Sequence, residues 1–111
     1  HWPGTIRELV VVTEGALKSL AVERVLPGAD HAAIGGSGIR PMHVAKIATF
    51  SAAVVLTDND PAGNAAGTVL VAQLFGHTRA VRAKLEPGQD ADSVEPRVLA
   101  NALTEALDSL A

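Results

Sequence analysis

The chain has 111 residues, 48% hydrophobic, 19% charged and 3% aromatic, with a formal net charge of −3. That length supplies one domain with a single core, and a mean hydropathy of +0.25 excludes a disordered tail. The lack of cysteine excludes a disulfide framework and a thiolate zinc site, and the negative balance excludes a domain that attracts nucleic acid by bulk charge.

No apolar run approaches the roughly 20 residues needed to span a membrane, and the start, His1 to Gly4, resembles no signal peptide. A soluble, cytoplasmic protein with no membrane partner is therefore expected. Residues 8–13 form a nearly continuous apolar run of the kind found in a strand covered on both faces. It ends at Glu14 and Gly15, after which Leu17, Leu20, Ala21 and Val25 fall at helical spacing until Pro27 and Gly28 stop the helix. A short strand is expected over 31–34, then a glycine-rich loop over 35–38 that includes Ser37, then a helix from Pro41 to about Thr49. Residues 52–57 read as a third strand, and Pro61 starts a helix carrying Ala65, Val69, Ala72 and Leu74 to a cap at Gly76. Residues 78–84 alternate polar and apolar, as an edge strand should; Arg79, Arg82 and Lys84 read as charges protecting that edge, with contact to a backbone phosphate the weaker alternative. Val94, Val98, Leu99, Ala102, Leu103, Ala106, Leu107 and Leu110 place one apolar stripe on a final helix.

Strands alternating with helices predict parallel strands, right-handed crossovers and a three-layer α/β/α domain with a mainly parallel four-stranded sheet, all within residues 1–111. In such a sheet every strand-to-helix turn lies at the carboxyl edge. Glu14, the 35–38 loop, Asp58 with Asp60, and the 85–92 segment should therefore face one cleft. Two acids one residue apart repel, and a proton, a basic partner or a cation relieves the repulsion. With oxygen ligands alone the natural cation is magnesium. Each acid also has a plainer role: Glu14 suits a helix start, Asp58 and Asp60 suit a helix cap, and Asp90 and Asp92 suit turn chemistry, with Asp92 and Ser93 able to cap the last helix. His1, His31, His43 and His77 have no metal-ligand spacing.

Thr-Glu-Gly at 13–15 followed by Leu-Thr-Asp-Asn-Asp-Pro-Ala-Gly at 56–63 resembles the TOPRIM domain of bacterial primases, topoisomerases and some nucleases. That family carries Glu-Gly after its first strand and DxDxxG after its third. Leu-Glu-Pro-Gly-Gln-Asp-Ala-Asp at 85–92 further resembles an acidic loop of primases and phage primase-helicases, and in primase-like domains of phage and mobile elements Glu-Gly is often followed by a lysine, here Lys18. The resemblance covers nearly the whole chain and implies a Rossmann-like TOPRIM fold. It implies that Glu14 is the general acid/base of nucleotidyl transfer and that Asp58 and Asp60, with Asp90 and Asp92, hold magnesium or manganese. Lys18, Gly15, Gly63, Ser37 and Arg40 are the expected phosphate or nucleotide contacts; Lys18 alternatively pairs with Glu14 at i, i+4. The implied activity is primer synthesis on DNA from nucleoside triphosphates, with template contacts from other domains and a helicase as a further partner. A TOPRIM nuclease and a non-catalytic TOPRIM module are the alternatives. With no tyrosine in the chain, the topoisomerase nucleophile cannot come from it. The zinc ribbon and basic subdomain of primases are also missing, so an excised catalytic domain of a larger replication protein is expected.

Overall fold

The computed structural model describes residues 9–34, 40–87 and 89–110. The elements run β1 (Leu9–Thr13), α1 (Ala16–Val25), β2 (Asp30–Ala33), α2 (Pro41–Ile47), β3 (Ala52–Leu56), α3 (Pro61–Leu74), β4 (Arg79–Arg82) and α4 (Pro96–Leu110). All strand pairs are parallel, in the order β2-β1-β3-β4. The two central strands, β1 and β3, are buried throughout, which is why they are uninterrupted runs of Leu, Val and Ala.

Alternate strand residues feed two cores. Val11, Val54 and Leu56 pack with Val22, Leu99, Leu103 and Leu110 on the α1/α4 face. Val10, Val12, Ala53 and Val55 pack with Ile47, Leu70 and Leu74 on the α2/α3 face. This is the expected three-layer α/β/α arrangement. The chain runs outward from β1 to β2 and returns past β1 to β3, so the topological switch point, where open α/β sheets bind ligands, lies between β1 and β3. No helix among the described residues is long and apolar enough to cross a membrane.

Two helix faces differ from the sequence expectation. On α1, Leu17 and Leu20 are exposed, whereas Ser19 and Val22 are buried. Ser19 faces inward because its hydroxyl meets the buried Thr13 hydroxyl at 2.8 Å, and a hydroxyl on the buried face masks the apolar stripe. On α3, Ala65, Val69 and Ala72 are exposed, and the buried face is Gly63, Gly67, Leu70 and Leu74. Small residues head that face because other groups come close to it: a Cβ at Gly67 would lie 2.5 Å from Arg82 Nε and 2.9 Å from Thr57 Oγ1. Helix α3 ends at Leu74 with Phe75 as its C-cap, and the expected glycine, Gly76, follows with a φ of 86° that suits it. The α4 stripe also stands: Leu99, Ala102, Leu103, Ala106 and Leu110 are buried.

Candidate active site

Each central strand ends in a buried threonine followed by an acid, Thr13–Glu14 on β1 and Thr57–Asp58 on β3. The threonines brace the turns. Thr13 Oγ1 lies 3.1 Å from the Gly15 carbonyl oxygen and donates to it, and Thr57 Oγ1 donates to the Gly63 carbonyl at 2.7 Å. The acids that follow are thereby held at the carboxyl edge of neighbouring strands, where Thr13 and Leu56 are paired in register.

The carboxylate of Glu14 crosses that boundary. Its Oε1 accepts the backbone N–H of Asp58 at 2.8 Å. Asp58 in turn faces Lys18, whose Nζ is 3.1 Å from Oδ1 and 3.3 Å from Oδ2, both side chains being less than a quarter exposed. Lys18 thus pairs with Asp58, not with Glu14. The i, i+4 pairing is not formed because the Glu14 carboxylate is engaged by the neighbouring strand. Partial burial lowers the pKa of the Lys18 ammonium, but the hydrogen bond and charge of Asp58, reinforced by Asp92 and Asp90, prevail and hold it above the usual lysine range. Asp92 borders a hollow with Leu17, Leu20, Ala21 and Arg24, so the 85–92 segment reaches helix α1, which carries Lys18.

Asp60 caps α3: its Oδ1 accepts the Gly63 N–H at 2.7 Å. Gly63 donates its N–H to this cap, and the Asp58 backbone passes directly over its Cα, so that a Cβ there would fall on the Asp58 carbonyl oxygen. Gly15 differs. It is the N-cap of α1 in extended backbone, and a Cβ there would meet nothing within 4 Å among the described residues, so their packing does not demand glycine at this point. Asp92 and Ser93 do not cap α4, which begins only at Pro96; the Asp90 carbonyl instead accepts the N–H groups of Ser93 and Val94, closing a separate turn. Arg40 precedes α2 and donates its N–H to His43 Nδ1 at 3.2 Å. Ser37 and the rest of the 35–38 loop lie outside the described residues.

Sequence reasoning missed a polar network beside the acids. Arg82 Nη2 donates to Thr57 Oγ1 and Asn64 Oδ1, each at 2.9 Å. Asn64 Nδ2 donates to Asn59 Oδ1 at 3.1 Å, and Asn59 Nδ2 to the Leu85 carbonyl at 2.6 Å. Arg82 is therefore turned against α3 rather than standing as an outward edge charge. Gly67 was the available signal, since a mid-helix glycine costs about 1 kcal/mol against alanine and needs a reason.

The carboxylates match magnesium in donor type, all being hard oxygens. Glu14 Oε2 and Asp60 Oδ2 have no partner among the described residues, whereas both oxygens of Asp58 face Lys18. No group of three or more His, Asp or Glu among the described residues is gathered tightly enough to hold an ion. The ammonium of Lys18 is the cation at Asp58 in this arrangement. Replacing it by an uncharged side chain removes both a competitor and a source of repulsion. A magnesium ion placed at Asp58 would compete with this ammonium, so Lys18→Met is expected to favour such binding about fivefold, the factor that corresponds to ~1 kcal/mol for a partly screened ion pair, as read by calorimetric titration.

In fold, the chain is similar to the crystal structure of a DNA primase domain from Pseudomonas aeruginosa, with a TM-score of 0.72 over 90% of this chain at 18% identity. The likeness is one of fold. The chain spans 32% of the length of that structure. No family model matches the sequence, and no match is found among curated proteins.

Proposed function

We propose that this chain is the TOPRIM-type catalytic domain of a DNA primase or primase-helicase, extending a primer by metal-dependent nucleotidyl transfer within a larger replication protein. The observation that carries the reading is the Glu14 Oε1 to Asp58 N–H hydrogen bond at 2.8 Å. It joins the candidate base on β1 to the acidic turn after β3 across the switch point. The fold likeness to a primase domain supports the same reading.

Asp58 and Asp60, with Asp90 and Asp92, would hold magnesium or manganese, which when bound stabilises charge on the attacking and leaving oxygens of an in-line displacement. Glu14 accepts the proton of the attacking 3′-hydroxyl as its oxygen bonds to the α-phosphorus of a nucleoside triphosphate, and pyrophosphate departs with the electrons of the broken P–O bond. The Asp58 N–H fixes one Glu14 oxygen and leaves the other for that proton. At Gly15 no atom of the described residues crowds the start of α1, which suits approach of a substrate there.

The test is a calorimetric titration of the protein with magnesium and nucleoside triphosphate. Wild type is expected to bind, and Asp58→Asn to weaken binding about tenfold or more, a loss of ~1.4 kcal/mol or more. Equal binding by the two proteins would remove Asp58 from the site and leave a non-catalytic module as the better description.

A further inference from the structure

At the end of β4 the chain carries two cations on one face. Ala83 and Leu85 are buried in the α1/α4 core, so the alternate residues Arg82 and Lys84 turn to the opposite side. There, with Thr57, Asn59 and Asn64, they line a cavity of about 250 Å³. No carboxylate among the described residues lines it, although the chain is acidic overall.

The Arg82 guanidinium is held in place without being neutralised. Its described partners, Thr57 Oγ1 and Asn64 Oδ1, are neutral acceptors, and its buried Nε has no hydrogen-bond partner among the described residues. Lys84 is exposed and has no hydrogen bond or ion pair among the described residues. A partly buried guanidinium fixed by neutral groups keeps its full charge for an anion, and its planar donor set suits phosphate. Asn59, which lies between Asp58 and Asp60 in sequence, also lines the cavity, so the cavity adjoins the carboxylate edge. A cationic pocket beside an acidic one is the charge pattern that a phosphate chain bridging the two requires.

We propose that this cavity is a phosphate subsite in which Arg82 and Lys84 hold the polyphosphate tail of a nucleoside triphosphate. The assignment rests on the nucleotidyl-transfer reading, but the binding it predicts is measured without metal or turnover. Pyrophosphate is titrated into the protein in the presence of a chelator, with folding of each variant checked by thermal melting. Wild type is expected to bind, Lys84→Glu to weaken binding at least tenfold, Arg82→Gln to abolish it, and Lys46→Glu, at an exposed position of α2, to leave it undiminished. Should Arg82→Gln fail to fold, the exposed Lys84→Glu decides the matter. No pyrophosphate binding by wild type, or equal binding by Lys84→Glu, would overturn the proposal. So would binding of an oligothymidylate that is sensitive to Lys84→Glu without any binding of pyrophosphate, which would assign the cavity to a nucleic-acid backbone. Loss of the subsite with primer synthesis intact would refute this inference alone, whereas pyrophosphate binding without any synthesis would refute the catalytic reading.

Discussion

Gly63→Ala is expected to destabilise the domain by about 3 kcal/mol, the upper end of the usual cost of overpacking. A methyl at this position would coincide with the Asp58 carbonyl oxygen and lie 2.9 Å from its carbon. The obstacle is backbone, which cannot rotate aside as a side chain can. Relief requires either α3 to move off the sheet or the 58–60 turn to lift, and each motion breaks the Asp60 cap and the Thr57 bond to the Gly63 carbonyl. For a domain of this size, 3 kcal/mol lowers Tm by roughly 12 °C or more. A melting curve measures it. A Tm within about 2 °C of wild type would mean that the approach of α3 to the turn is looser than described. Gly15→Ala, with open space around the glycine, serves as the control and should leave Tm nearly unchanged.

The second large effect is on chemistry and should spare stability. Glu14→Gln keeps a side-chain oxygen able to accept the Asp58 N–H, yet removes the charge and the capacity to take a proton. Loss of a positioned general base typically costs about 10²- to 10⁴-fold, and a loss in that range is expected for primer extension by the protein carrying this domain, with Tm essentially unchanged. Glu14→Ala should lower both, because a part-buried N–H then loses its acceptor at a cost of about 1–3 kcal/mol. If Glu14→Gln retained most activity, the role of Glu14 would be confined to tying β1 to β3.

The fold was legible where the physics is local and repetitive. Val10 to Val12 and Ala53 to Leu56 are apolar on both faces, which only a central strand of a covered sheet requires, and α4 separates its leucines and alanines onto one side. That Glu14 and Asp58 share one edge followed from parallel topology, and the structure adds that β1 and β3 are neighbours. What the sequence concealed depended on contacts between distant residues. Leu17 and Leu20 looked like core because the residue that faces the sheet, Ser19, is polar and is satisfied by Thr13. The buried face of α3 begins with glycines, and their lack of side chains removes them from any hydrophobic pattern. Lys18 had a plausible partner four residues away, but its carboxylate lies forty residues on, at Asp58. Arg82 looked like an edge charge because Gly67 signals a close approach without saying which side chain makes it, and Asn64 does not announce itself as an acceptor. At the site itself, residue types, edge positions and the helix-cap role of Asp60 were readable, whereas the ion pair that engages Asp58 was not.

The central claim is that the edge joining Glu14, Asp58 and Asp60 performs nucleotidyl transfer. The most direct test is to incubate the protein carrying this domain with an end-labelled DNA template and magnesium, without and then with nucleoside triphosphates, alongside its Asp58→Asn variant. Template-dependent extension that requires triphosphates and disappears in the variant is the predicted result. Cleavage of the labelled strand without triphosphates, or products of equal yield from wild type and variant, would contradict it.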